Sequence, residues 1–182
     1  MENFLRKHKL IDEFTVELPI HKSDFVRRLQ NAVDPGDIGA WSGAFEAWEA
    51  SNNDYKGEVT SQGFKIRRRK KFFQSNGQMQ AVATGTFTEG RSGLTVRTEI
   101  TSQSRKMVPL FGFILFFYFI VIGSFALVGF SSSGPKLPMF VLPIIVLHGA
   151  FMFFVFYHLA KRSVEHLKRE LEREFVFLAS QR

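Results

Sequence analysis

The amino-acid sequence predicts an α+β protein anchored in a membrane. We expect a cytoplasmic antiparallel sheet with one or two short helices (residues 1–106), a two-helix transmembrane hairpin (107–160) and a C-terminal amphipathic helix (161–182). Three observations predict this order: alternating apolar and polar residues in the first part, long uncharged stretches in the second, and an apolar stripe at helical spacing in the third. Charged residues follow the same division. Residues 1–107 contain 17 Lys and Arg and 13 Asp and Glu, whereas the only charged residue in 108–160 is a single Lys.

Alternation with a period of two predicts the strands. "EFTVELPI" places Phe14, Val16 and Leu18 on one face, with Thr15 and Glu17 on the other. Further strand-like segments are "YKGEVTSQGFKIRRRKKFF", "GQMQAVATGTFTEG" and "GLTVRTEITS". Each strand has one apolar face to bury, which favours a curved antiparallel sheet covered by helices on one side.

Two helical segments accompany the strands. "KSDFVRRLQNAV" has apolar residues at helical spacing, and Ser23 is the predicted N-cap. Trp41, Phe45 and Trp48 follow at spacings of four and three, which is typical of a short helix or a compact aromatic loop. Together with a curved sheet, these three rings are candidates for the wall of an apolar ligand pocket.

The hairpin is predicted from two uncharged stretches, residues 108–130 and 138–160. Each is long enough to cross a hydrocarbon core of about 30 Å, which takes ~20 helical residues. The polar segment "SSSGPKLP" between them is typical of a turn.

Basic residues flanking the hairpin predict its orientation. Arg105 and Lys106 precede the first stretch, Lys161 and Arg162 follow the second, and the connecting turn has only Lys136. Because Lys and Arg are enriched on the cytoplasmic side, both termini are expected in the cytoplasm. The predicted location is the inner (cytoplasmic) membrane, crossed more than once.

His148 is the ionisable residue deepest within the predicted spans. Ionisable groups inside a membrane are candidates for function. A neutral His148 bonded to a backbone carbonyl, or to Ser124 or Tyr118 of the other helix, explains the residue without transport, and we favour this structural interpretation.

The C-terminal segment continues from the second span without a helix breaker. Its apolar residues recur at three and four positions, which predicts an amphipathic helix. This stripe suits packing against the soluble domain, pairing with a second copy or another membrane protein, or contact with the bilayer surface. It consists of Val164, Leu167, Leu171, Phe175 and Leu178.

The segment "KIRRRKKFF", residues 65–73, is the most basic part of the chain. Alternation places part of it on an exposed strand face, close to a membrane surface that carries anionic headgroups, and each Lys or Arg there contributes about 1 kcal/mol. Nucleic acid is a less favoured partner, since 17 basic residues against 13 acidic ones leave residues 1–107 only moderately positive. The residues predicted to contact the membrane surface are Lys65, Arg67, Arg69, Lys70, Lys71, Arg105 and Lys106.

The sequence contains no motif of a known catalytic or metal centre. With no cysteine, thiolate metal sites and cysteine nucleophiles are excluded. The sequence also lacks GxSxG, HExxH, Walker and GxGxxG patterns, and its five histidines are scattered. We therefore expect no enzyme activity, metal or cofactor.

The stretch "YKGEVTSQGFKIRRRKKFF", followed by "ATGTFTEGRSGLTVRTEI" and then by the first apolar stretch, resembles a class of uncharacterised bacterial membrane proteins. The resemblance covers about residues 55–160. It implies a cytoplasmic sheet-rich domain before a two-helix transmembrane hairpin, and a bacterial source. It implies no activity.

Three hypotheses remain. The first is a non-enzymatic integral membrane protein whose cytoplasmic domain lies near the anionic lipid surface and serves binding or assembly. The second is an accessory or oligomeric subunit of a membrane transport system. The third is a lipid- or small-ligand-binding domain on a membrane anchor.

Overall fold

The computed structural model describes residues 6–7, 9–38, 51, 53–69, 81–90, 93–102, 108–129 and 141–181. The chain forms two compact units. One combines Met1–Gln103 with Leu159–Arg182, and the other is Ser104–His158. The C-terminal segment therefore belongs to the same unit as the sheet.

The first unit contains a six-stranded sheet whose strands follow the spatial order β1-β6-β5-β4-β3-β2. All neighbouring strands are antiparallel except β2 and β3, which are parallel. The α+β class is therefore confirmed, and the sheet predicted to be antiparallel is mixed. Parallel neighbours need a connection of about a dozen residues or more, and 19 residues separate β2 from β3 in the sequence. The strands are β1 (Ile11–Leu18), β2 (Val33–Pro35), β3 (Tyr55–Val59), β4 (Gly63–Arg68), β5 (Ala81–Gly90) and β6 (Gly93–Ser102).

Strand β1 confirms the alternation read from the sequence. Phe14 and Leu18 are buried and Val16 packs against the core, while Thr15 and Glu17 are exposed. The polar positions face solvent because the strand is covered on one face only.

Gly85 lies in the middle of β5, and its register with β6 continues without a bulge. A Cβ atom at this position would lie 2.3 Å from ring atoms of Phe64. Glycine is therefore needed here because the ring of Phe64 lies directly over the backbone.

Helix α1 (Lys22–Ala32) buries Phe25, Val26 and Leu29 against the sheet, as its spacing predicts. The predicted N-cap, Ser23, is wrong. The helix is preceded by His21, whose backbone is extended and whose side chain makes no capping hydrogen bond.

Two further helices follow, α2 (Val108–Gly129) and α3 (Val141–Ser180). Residues 159–180 of α3, here called the core half, complete the core of the first unit. The ring of Phe175 lies 6.1 Å from that of Phe14 and 5.6 Å from those of Phe25 and Phe64. The whole predicted stripe is buried: Val164, Leu167, Leu171, Phe175 and Leu178.

The stripe thus packs against the sheet domain, one of its three predicted uses, and is not available to a partner. Burial of a large apolar side chain contributes about 1.5–3 kcal/mol relative to exposure, so the core half is a principal source of stability. Arg28 of α1 contacts the C-terminal end of the core half, where its guanidinium donates to the carbonyl oxygen of Leu178 at 2.7 Å.

Residues 143–158 of α3, here called the exposed half, differ in surroundings. Among the described residues, α3 is the one helix long and apolar enough to cross a membrane, and only 6% of its apolar window is buried. A helix is also present at the first predicted span, where α2 lies. The pairing of two transmembrane spans in a hairpin is not established by the structure.

Candidate membrane-surface and intramembrane sites

Strand β4 carries the basic segment, and its arginines are not distributed as predicted. Lys65 is exposed, whereas Arg67 and Arg69 are only 0% and 6% exposed. The expectation that all three share an exposed face is therefore wrong for the two arginines. β4 lies between β3 and β5, and acidic groups from other elements reach this end of the strand.

Arg69 forms an ion pair with Asp34, which lies in β2. The backbone N–H of Arg69 also donates to the carbonyl oxygen of Asp54 at 2.8 Å. Asn53 donates to the Asp34 carboxylate at 2.9 Å. Hydrogen bonds from the side chains of Ser51 and Asn53 lower the pKa of Asp34, and the positive charge of Arg69 lowers it further. Asp34 therefore stays ionised, and the pair joins β2 to the end of β4.

Arg68 connects the sheet to α3. Its guanidinium lies 2.7 Å from Glu170 Oε1, and the second carboxylate oxygen of Glu170 lies 3.3 Å from Nδ1 of His166. Tyr55 is buried nearby, and its pKa is raised by burial first and then by the negative charges of Glu170 and Glu174. Its hydroxyl group therefore remains protonated.

Much of the basic segment thus has an internal role. Of the seven residues predicted to contact the membrane surface, Lys65 is described and exposed, and Arg67 and Arg69 are described and buried. Lys70, Lys71, Arg105 and Lys106 lie outside the described residues. The predicted pocket residues Trp41, Phe45 and Trp48 also lie outside them.

Aromatic rings fill the space between the sheet and its helices. Phe87 lies 5.8 Å from Phe25 and 5.6 Å from Phe64, centroid to centroid. Within the described ranges, no group of three or more His, Asp and Glu side chains is placed to hold a metal ion. A surface cleft of about 340 Å³ lies at the start of α1, where His21 is 3.6 Å from Glu89.

The second unit brings together two polar residues that the sequence singled out. The hydroxyl oxygen of Tyr118 in α2 lies 2.5 Å from Nδ1 of His148 in α3. A Cβ atom added at Gly149 would lie 4.0 Å from the Tyr118 ring, in ordinary van der Waals contact, so the position of the ring does not depend on this glycine. Ser124 donates instead to the carbonyl oxygen of Ile120 in its own helix, at 2.8 Å. Of the partners considered for His148, Tyr118 is the one the structure provides.

Sequence reasoning missed the acidic partners of the arginines. Asp34 follows a helix and precedes a proline, a context typical of a turn. Glu170 offered a weak signal, because it is next in sequence to Leu171 of the predicted apolar stripe.

Comparisons with known proteins place this chain in no family. No family model matches it, and no curated protein matches it. A solved structure with some likeness is a Polyketide_cyc-like protein from Corynebacterium glutamicum, determined in solution by NMR. It is 9% identical, the match covers 90% of this chain and 94% of that chain, and the TM-score is 0.28.

Proposed function

We propose that this chain is a non-enzymatic integral protein of the inner membrane, and that its sheet domain serves binding or assembly near the anionic lipid surface. In this proposal α2 and the exposed half of α3 both cross the bilayer, and both termini are cytoplasmic. The observation that carries it is α3, a single helix that leaves its first half uncovered and buries the stripe of its second half.

The uncovered apolar side chains support the membrane assignment. Soluble proteins rarely expose contiguous apolar patches of more than a few hundred Å², and larger ones indicate a membrane or a partner. Large apolar side chains are exposed on both helices of the second unit: Phe113, Phe116, Phe117, Phe119, Ile120, Ile144, Val146, Leu147, Phe151, Phe153 and Phe154.

Charge at the end of the exposed half supports the orientation. Lys161 and Arg162 follow His158 within about one helical turn, and no acidic residue precedes them from residue 108 onward. This is the pattern of a helix end on the cytoplasmic side.

The membrane assignment is tested on the full chain. Because the protein contains no cysteine, single cysteines introduced by Lys136→Cys and Gln181→Cys report topology without further changes. We expect the chain to resist extraction from membranes by alkaline carbonate, and the two cysteines to react with an impermeant reagent from opposite faces. Release by carbonate contradicts membrane integration, and labelling from one face contradicts the double crossing.

Contact with anionic lipid is now expected from a smaller set of residues than the sequence suggested. Lys65 is exposed. In the sequence, Lys70 and Lys71 follow β4, and Arg105 and Lys106 precede α2. Arg67 and Arg69 are not in this set, since their side chains are buried.

Thr84 provides a position for a label, because it is exposed and pairs with Lys65 across β4 and β5. A dye on Thr84→Cys in the reconstituted full chain should transfer energy to headgroup-labelled lipid more strongly in anionic than in neutral liposomes. The difference should fall with salt, because screening weakens contacts between exposed charges. Changing Lys65, Lys70 and Lys71 to Gln, three of the five expected contacts, should reduce the difference, whereas the control Arg27→Gln on α1 should leave it unchanged. Transfer that does not depend on lipid charge contradicts the proposal.

Assembly within the membrane is a second candidate, because the Tyr118–His148 contact places polar groups between two apolar helices. This favours the role of an oligomeric or accessory subunit over that of a ligand-binding domain. No described residue supports the latter.

A further inference from the structure

The contact between Tyr118 and His148 holds more donor hydrogens than it uses. A tyrosine hydroxyl carries one hydrogen, and a neutral imidazole carries one on either ring nitrogen. The single 2.5 Å contact between the hydroxyl oxygen and Nδ1 engages one of these two hydrogens. In the described part of the chain neither side chain makes another hydrogen bond, so one donor stays unengaged in either tautomer.

This remaining donor lies on an apolar, uncovered surface of α3. His148 is exposed there, and its neighbours on the helix, Leu147 and Phe151, are exposed apolar side chains. It precedes His158 by ten residues, about 15 Å along a helix, which is about half the thickness of a hydrocarbon core. Under the proposed function, on which this inference rests, the donor is near the bilayer midplane. Lipid chains at that depth offer no acceptor, and an unsatisfied donor there is strongly unfavourable.

We infer that a second copy of this chain supplies the acceptor, so that the protein self-associates through the Tyr118–His148 pair. Each pair keeps an acceptor as well as a donor, because the tyrosine oxygen has lone pairs that the contact does not use. Two copies with the same orientation, related by an axis along the membrane normal, bring the two pairs to the same depth. The donor of each copy then meets the acceptor of the other.

Ser124 of a second copy cannot be the acceptor for the remaining donor. It lies six residues beyond Tyr118 in α2, which corresponds to about 9 Å along the helix. A parallel second copy therefore places it at a different depth from His148. Its hydroxyl hydrogen is also engaged by Ile120. Ser124→Ala is for this reason a matched control, since it removes an exposed polar group from the same helix pair.

The test uses the full chain with Gln181→Cys, labelled with donor or acceptor dye and reconstituted in liposomes over a range of protein-to-lipid ratios. We expect energy transfer that increases with this ratio. Tyr118→Phe and His148→Phe should each require about tenfold more protein per lipid for half-maximal transfer, because two symmetry-related interhelical hydrogen bonds are lost. Ser124→Ala should leave the curve unchanged.

Two results overturn the inference: no energy transfer by the unchanged protein at any ratio, or equal curves for the unchanged protein and the two phenylalanine variants. Labelling of Lys136→Cys and Gln181→Cys from opposite faces is measured in every variant. If the protein that keeps Tyr118 and His148 is not labelled from opposite faces, the proposed double crossing is refuted. If it is labelled from opposite faces but shows no energy transfer, only the self-association is refuted.

Discussion

The two halves of α3 contain the same kinds of apolar residue in opposite surroundings. In the exposed half, Phe151 and Phe153 are 61% and 65% exposed. In the core half, Phe175 is fully buried among three other phenylalanine rings. One continuous helix therefore combines a segment that the protein leaves uncovered with a segment that the protein's core requires.

The difference in burial between the two halves follows from how charged and apolar residues are distributed along the helix. The exposed half has no formal charge, so it has no polar face to turn toward water. The core half alternates charged residues with an apolar residue every third or fourth position, which gives one face for the sheet and one for solvent. An apolar helix without a stripe needs an apolar environment on all sides.

The largest effect expected from this comparison is that of Phe175→Ala. Removing a buried phenylalanine leaves a cavity and typically lowers the free energy of unfolding by about 3–5 kcal/mol. Chemical denaturation of the full chain in detergent, followed by the circular dichroism of the sheet, measures the loss.

The matched control is Phe153→Ala in the exposed half, which removes the same atoms from a side chain that the protein does not cover. We expect little change in the denaturation of the sheet. Equal losses for the two variants would show that the halves of α3 do not differ in their contribution to the core.

A smaller effect is expected from a charge in the exposed half. Leu147 is 71% exposed, and Leu147→Arg should disfavour membrane insertion by about 3 kcal/mol on the scale measured for helix centres. The fraction of chain that resists carbonate extraction should fall. Val176→Arg, at an exposed apolar position in the core half, should leave that fraction unchanged. Insertion unaffected by Leu147→Arg would show that the exposed half does not cross the bilayer.

Local patterns account for what could be predicted of the fold. The periods of β1, α1 and the core half are visible in short windows, and the structure confirms all three. β2 was missed because Val33–Pro35 is too short to show a period. The parallel pairing of β2 with β3 could not be predicted either, because the period of a strand does not indicate the direction of its neighbour.

The candidate sites were less predictable because their partners are distant in sequence. Alternation describes which face of a strand a residue occupies, but not whether an acidic group from elsewhere covers it. Arg69 is buried because Asp34 reaches it, and Arg68 is held by Glu170 of the core half. Lys65 is exposed as predicted, and no acidic side chain in the described part of the chain pairs with it.

The smallest expected effect tests the polar side of the core half. Glu174 is half-buried, and its pKa is raised by burial and then by the charge of Asp54. Below the pKa of the unfolded chain both states are protonated, and the contribution of Glu174 to stability is fully present. It is lost as the pH rises through the higher pKa of the folded state, where the carboxyl group ionises. Glu174→Gln removes this ionisation and should raise the free energy of unfolding at pH 7 by less than ~1 kcal/mol, because the group is partly solvated. The gain should vanish at pH 4 and below, and chemical denaturation of both proteins across this range measures it. A gain that persists in acid, or a loss at pH 7, would show that the ionised carboxylate is stabilised by a partner and is not opposed by its surroundings.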